Sequence, residues 1–191
     1  MLAAGAGSRF GGDKMLADWR GRPMIAAAVD VALAAPVASV IVVLGYRAPH
    51  VAAVLPADEP RLRTVTCPDW VIGLSASLRA GLGALPADSA GCVVFLGDMP
   101  AVPPGLAGEA LALLREGAPA VETRFRGAPA HPVAFARGLF GRASTLTGDQ
   151  GARAFLRDVP GVATIATGDP GSVLDIDRPQ DLRAASSRSV G

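Results

Sequence analysis

Two apolar runs, each closed by a glycine, set the strongest limit on what this chain can fold into. Ser39, Val40, Ile41, Val42, Val43 and Leu44 run without a break to Gly45, and residues 90–96 end the same way at Gly97. Neither run alternates apolar with polar, so each reads as a strand buried on both faces, which is the habit of parallel sheets covered by helices. Residues 61–66 read as a shorter strand between them. Helical spacing appears at Ile25, Val29, Ala32 and Leu33 behind Pro23, and again over 75–85 and 105–115. Strands that alternate with helices predict an α/β fold, a three-layer α/β/α sandwich around a doubly wound, mostly parallel, Rossmann-like sheet. Residues 120–125 and 132–136 flank the turn-rich stretch Arg126, Gly127, Ala128, Pro129, which reads as a hairpin or arm on the same domain. The expected organisation is one domain over 1–185 and a small polar tail over 186–191 that frays.

Length and composition agree with a packed core. The chain has 191 residues, half of them hydrophobic, and a net charge of +1 without a basic run. That balance points away from nucleic acid and anionic membranes. Cys67 and Cys92 stand far apart without CxxC spacing, and only His50 and His131 accompany them. A zinc site is not expected, and reduced, buried thiols are. No apolar run approaches a membrane span. The first seven residues are small and apolar but lack a basic leader region, so no signal peptide is expected and a cytoplasmic location follows by elimination.

The segment richest in chemistry is Leu2, Ala3, Ala4, Gly5, Ala6, Gly7, Ser8, Arg9, Phe10, Gly11, Gly12, Asp13, Lys14. Gly5, Gly7, Gly11 and Gly12 allow close approach and positive φ, and successive N–H groups in such a loop converge on phosphate oxygens. Arg9 and Lys14 add cations where a polyphosphate would lie. The loop is not a Walker motif, because Met15 follows Lys14, and Phe10 breaks the dinucleotide fingerprint.

The loop resembles the LAAGxSxRxGxxK signature of nucleotidyltransferases with an NTP-transferase fold, most closely their molybdenum cofactor cytidylyltransferase branch. Further blocks follow in the family's order: 68–78, Gly97-Asp98-Met99-Pro100, Ala130-His131-Pro132-Val133, 148–153 and 175–182. The resemblance implies that Leu2, Ala3, Ala4, Gly5, Gly7 and Ser8 wrap the nucleotide, with Arg9 and Lys14 on its phosphates. It implies that Gly73, Ser75 and Ser77 help hold base and ribose. Asp98 and Asp177 would hold Mg2+. The implied reaction is CMP transfer from CTP to the phosphate of a molybdopterin-type acceptor, with a molybdenum hydroxylase as the eventual client. The chain departs from the pattern twice. The family carries several apolar residues ahead of LAAG, whereas Met1 directly precedes Leu2 here, so the first strand is expected to be largely absent. Ala130 also stands where the family has glycine.

The residues themselves support part of this. Asp98 follows a buried strand, Gly97 and Pro100 shape the turn around it, and open parallel sheets bind ligands beyond the carboxyl ends of their strands. A turn or cap role is the alternative. In a strand, Asp175 and Asp177 face one side. Asp177 is taken as the ligand, Asp175 as its rival, and Asp181 falls in a helix opened by Pro179. His131 either shapes the acceptor pocket or is a buried, hydrogen-bonded histidine. Trp70 either stacks on a base or packs. Asp149, assigned with His131 to the acceptor site, is spaced for an i,i+4 pair with Arg153. Lys14, in a glycine-rich loop, is expected to be exposed. Guanylyl transfer to the same cofactor, transfer to a sugar phosphate and a non-catalytic cofactor carrier are the competing functions. The intact Arg9, Lys14, Asp98 and Asp177 set speaks against a carrier.

Overall fold

The computed structural model describes residues 1–187. In chain order the strands are β1 (Leu2–Ala3), β2 (Asp18–Trp19), β3 (Arg22–Pro23), β4 (Val40–Leu44), β5 (Leu62–Thr66), β6 (Gly91–Val94), β7 (Ala120–Phe125), β8 (Ala128–Ala136) and β9 (Ala163–Thr167). The helices are α1 (Met24–Ala34), α2 (Ala48–Ala52), α3 (Leu74–Gly83), α4 (Pro104–Arg115), α5 (Phe140–Ser144), α6 (Arg153–Leu156) and α7 (Pro179–Ser187). β1 pairs in parallel with β4, and β4 with β5. A parallel bridge from Leu2 to Leu96 joins this half to the order β6, β8, β7, β9. Only β8 runs antiparallel to its neighbours in the combined sheet.

β4 has no exposed residue, as expected of a continuous β-branched run. Its alternation, with that of β1, sorts the core into two layers. Leu2, Ala4 and Val43 join Leu78, Phe135 and Phe155 on the side of α3, α5 and α6. Ala3, Val42 and Leu44 join Ile25, Val29 and Phe95 on the side of α1 and α4. The expected hairpin is β7–β8, turning through Arg126 and Gly127, both at positive φ. It is longer than expected because Ala128 and Pro129 pair with Phe125 and Arg124. The small β2–β3 hairpin, turning at Arg20 and Gly21, is one that period-two reasoning over such short segments does not reveal. The expected tail begins at 186, but α7 runs on to Ser187. The rest of that tail, 188–191, lies outside the described residues.

The first strand is short, as expected, yet it is in place. Leu2 donates to Phe95 O at 2.9 Å, Gly97 donates to Leu2 O at 2.9 Å and Val43 donates to Met1 O at 2.9 Å. The Met1 α-amine, pushed down to about 6 by burial, donates to Ile41 O at 2.7 Å. Behind it, between β4 and β6, an apolar cleft of about 330 Å³ is lined by Ile41, Leu78, Leu82, Cys92 and Val93 among others. An apolar strand joined ahead of Met1 would continue β1 into this cleft beside β4 and β6. Each side chain it buries gains about 1.5–3 kcal/mol against about 1–2 kcal/mol of backbone ordering. Such an extension should raise the melting temperature by about 5–10 °C. An unchanged melting curve would count against this reading of the cleft.

Candidate active site

The site forms where β1 and β6 end. Gly97 lies so close to its neighbours that a Cβ there would meet Ala3 Cβ and Met15 Sδ at 2.9 Å. Its bare backbone brings Asp98 beside the glycine-rich loop. That loop turns at Gly7 (φ 62°), Gly11 (φ 93°), Gly12 (φ 94°) and Asp13 (φ 53°). Gly5, by contrast, has ordinary φ and open space around it. Two hydrogen bonds to Gly7 O, from Phe10 N at 2.9 Å and Gly12 N at 3.2 Å, close the loop. Arg47 pairs with Asp13 across its outer side.

Lys14 is the first correction: it is buried, 7 % exposed. The absence of a side chain on Gly7 makes the room, since a Cβ there would stand 2.6 Å from Lys14 Cβ. The ammonium donates to Asp98 Oδ2 at 2.6 Å and Asp177 Oδ1 at 3.2 Å. Arg9, exposed in a 3-10 turn with Ser8, donates to Asp177 Oδ2 at 2.8 Å. Burial pulls the Lys14 pKa down, but the charge and hydrogen bond of Asp98, with help from Asp177, leave it raised. The Arg9 hydrogen bond holds Asp177 below the usual carboxylate range, against its partial burial.

Asp98, Asp175 and Asp177 each place a carboxylate oxygen within 4.8 Å of the others, an arrangement that could hold a metal ion. Residues 174–178 belong to no strand, a second correction. Ile176 N donates to Asp98 O at 3.1 Å and its side chain is fully buried, which turns both flanking aspartates toward the cluster. Asp181 accepts from Asp177 N at 3.1 Å and Arg178 N at 2.7 Å, so it fixes the backbone that carries Asp177. Asp175 is exposed as a whole, yet desolvation of its carboxyl within the cluster, followed by the Asp98 charge, pushes it up to about 6.

The remaining candidates divide. Leu2, Ala3 and Ala4 are buried, with the Ala4 methyl in the apolar cluster of Leu2 and Val43, so only their backbone can meet a ligand. Gly73 (φ 123°) lies where a Cβ would stand 2.5 Å from Asp149 Oδ1, and Ser75 N donates to Gly148 O at 3.0 Å. Ser75 and Ser77 are buried, and Ser75 Oγ has no hydrogen-bond partner among the described residues. Asp149 therefore seats against Gly73, while Arg153 donates to Ala130 O; no Asp149–Arg153 ion pair forms among the described residues. His131 is pushed down to about 3, by burial first and the Arg153 charge second, so it stays neutral. Its Nδ1 is buried without a partner. Trp70 packs edge-on to Tyr46, with ring centroids 5.7 Å apart, beside Gly45. Cys67 and Cys92 are free, and burial pushes the Cys92 thiol up to about 12. No helix among the described residues is long and apolar enough to cross a membrane.

Two stability effects follow. Lys14→Ala strands the Asp98 carboxylate, which is 20 % exposed, beside two other acids. It should cost about 1–3 kcal/mol in urea unfolding, less than a fully dry pair because solvent reaches the carboxylates. Wild-type stability retained in that variant would remove the ammonium from the fold's support. Asp175 has a raised native pKa, so its protonated form favours folding; that contribution is complete below its unfolded value of 3.8 and lost as the pH rises through about 6. Asp175→Asn should therefore stabilise the metal-free protein above pH ~6, with the gain fading toward pH ~4. A gain that grows toward acid pH would show the opposite sign of shift.

The chain is similar to known proteins over most of its length. The chain matches the MobA-like NTP transferase domain over residues 1–164. Nicotine blue oxidoreductase of Paenarthrobacter nicotinovorans is 33% identical over 196 aligned positions, covering 95% of this chain and 92% of that protein. Rv0371c of Mycobacterium tuberculosis H37Rv superposes with a TM-score of 0.85 at 28% identity, covering 97% of this chain and 95% of that one. A manganese complex of Rv0371c superposes at 0.77, also at 28% identity, with 96% and 94% covered. The chain belongs to the MobA-like family of NTP transferases, and by that membership it is a nucleotidyltransferase.

Proposed function

We propose that this chain transfers CMP from CTP to the phosphate of a molybdopterin-type acceptor and releases pyrophosphate. The observation that carries the reading is the meeting of Lys14 and Arg9 with Asp98 and Asp177 at the carboxyl ends of β1 and β6. Cations for a polyphosphate and hard oxygens for a divalent ion thus share one spot. Mg2+ suits the donor set, because it takes carboxylate oxygen and keeps several waters. Asp98 and Asp177 would hold it, with Asp175 adjacent, and when bound it would neutralise charge on the phosphates.

The chain's own groups do the rest. Loop N–H groups from Gly5, Gly7 and Ser8, with Arg9 and Lys14, draw in the triphosphate and offset repulsion between two anionic substrates. Gly73, Ser75 and Ser77 flank the base and ribose. His131 and Asp149 border the acceptor, which is held for in-line approach. An acceptor phosphate oxygen bonds to the α-phosphorus while the bond from that phosphorus to the α,β-bridging oxygen breaks, and pyrophosphate leaves. No side-chain nucleophile is needed, since a phosphomonoester is already ionised near neutral pH. The preference for CTP rests on the resemblance of the Leu2-Ala3-Ala4-Gly5 loop to that of the cytidylyltransferase branch. Ala4 is 2 % exposed, so any such preference is transmitted through the loop backbone above it. The client is a molybdenum hydroxylase, and the reaction belongs in the cytoplasm.

A second reading is favoured by one observation, the 33% identity to nicotine blue oxidoreductase across 95% of this chain. The same loop could seat the pyrophosphate of a nicotinamide dinucleotide. One preparation assayed for pyrophosphate release from each of the four NTPs with Mg2+ and molybdopterin, and for NADH or NADPH oxidation with nicotine blue as the electron acceptor, separates the two. Pyrophosphate release fastest with CTP is expected. Asp98→Asn and Asp177→Asn should each lower that turnover by about 10²–10³-fold, and Asp175→Asn by less. If Asp175→Asn is the most damaging, the second ligand is Asp175. Dinucleotide oxidation without pyrophosphate release would reject the transferase reading.

A further inference from the structure

Lys14 is the only lysine in the chain; every other residue among its 18 lysines and arginines is an arginine. It is also the buried one at the heart of the site, with its stem under Gly7 and its ammonium on Asp98 and Asp177. Arg9 holds the other oxygen of Asp177. Two loop cations thus already neutralise carboxylates that, with Asp175, lie close enough to share one metal ion.

We propose that Lys14 is a displaceable stand-in for the divalent cation, and that cation and polyphosphate enter this site as a coupled pair. The inference rests on the metal assignment made above. An ammonium 2.6 Å from Asp98 Oδ2 lies within ~5 Å of any ion bound to that same oxygen at the usual metal–oxygen distance. Two cations so close in a partly dry pocket repel strongly, so Lys14 gives up its acid when the ion arrives. A polyphosphate supplies the new partner, and Lys14 and Arg9 turn onto it without leaving the loop. The left-handed turns at Gly7, Gly11 and Gly12 give the loop the backbone freedom for this. Cation alone strands Lys14, and polyphosphate alone draws Lys14 and Arg9 off acids that are then uncompensated. Each ligand therefore favours the other, and the coupling is reciprocal.

The single lysine makes a direct test. Wild-type protein is pulsed with an amine-acetylating reagent beside a lysine-bearing reference peptide, and acetylation of Lys14 is read by mass spectrometry. The arms are protein alone, Mn2+ alone, pyrophosphate alone and both together, with bound Mn2+ read by electron paramagnetic resonance. Lys14 should label slowly in the protein alone, several-fold faster with Mn2+ and slowly again with both. Pyrophosphate should tighten Mn2+ binding about 5–150-fold after allowance for their complex in solution. Lys14→Met should bind Mn2+ alone more tightly than wild type and lose most of that coupling. If wild type takes up Mn2+ only with pyrophosphate, Lys14→Met must bind Mn2+ by itself, and failure there overturns the proposal. Mn2+ that binds wild type through Asp98 while Lys14 labelling stays unchanged overturns the exchange and leaves the metal assignment standing. Mn2+ binding that survives both Asp98→Asn and Asp177→Asn overturns the metal assignment and the exchange with it.

Discussion

The Lys14 ammonium, 2.6 Å from Asp98 and 3.2 Å from Asp177, ties together three stretches that are distant in sequence. The loop after β1, the turn after β6 and the segment before α7 each present like-charged or flexible groups that would separate if left alone. Desolvation within the cluster is costly for three carboxylates and their mutual repulsion adds to it, as the raised pKa of Asp175 records. A buried cation among them makes the arrangement tenable. The same charge pattern would suit a metal-bound polyphosphate, so under the proposed function one set of groups supports both the fold and the chemistry.

Backbone proximity makes that contact geometrically available. At Gly97 a side chain would collide with Ala3, Met15 and Ile25; at Gly45, with Ala4 O at 2.6 Å and Trp70 at 2.7 Å; at Gly73, with Asp149 and Gly148. These glycines lie at or just beyond the ends of strands or beside helix α3, where loops must close over the sheet. Close approach there, more than turn flexibility, draws the loop residues onto the sheet's carboxyl edge. Ile176 does the same from the other side, because its buried side chain and its bond to Asp98 O pin the acidic segment down.

Much of this was legible in the sequence, because buried parallel strands have a one-line signature and the acids that follow them have a predictable place. Residues 39–44 and Asp98 show both, whereas the resemblance puts Lys14 on phosphates and Asp98 and Asp177 on a metal and does not reveal that the ammonium rests on the acids themselves. What escaped depends on contacts between segments. Lys14 reads as solvent-facing because its neighbours are glycine and aspartate, and only the bare face of Gly7 reveals the space beneath. Asp149 and Arg153 have helical spacing, but α6 begins at Arg153, so Asp149 lies in the preceding loop and the pair has no shared helix. Asp181 carries the capping signal of an early helical acid, yet nothing in the sequence says that the N–H it accepts belongs to Asp177.

The chemistry of lysine explains why the central cation works in this place. A guanidinium spreads its charge over a planar fork suited to two parallel bonds on one carboxylate or phosphate. Arg9 uses that form at the rim, where its side chain is 73% exposed. Inside, the donors must reach acids on two different segments from a narrow channel under Gly7, and a compact ammonium with three rotatable donors does so. The same compactness gives it the footprint of a small cation, on oxygens that favour hard ions. It can leave one oxygen for another by rotation of its own stem, whereas a bidentate fork must break two bonds at once. The exchange proposed for this site would therefore be better served by an ammonium at its centre and a guanidinium at its edge.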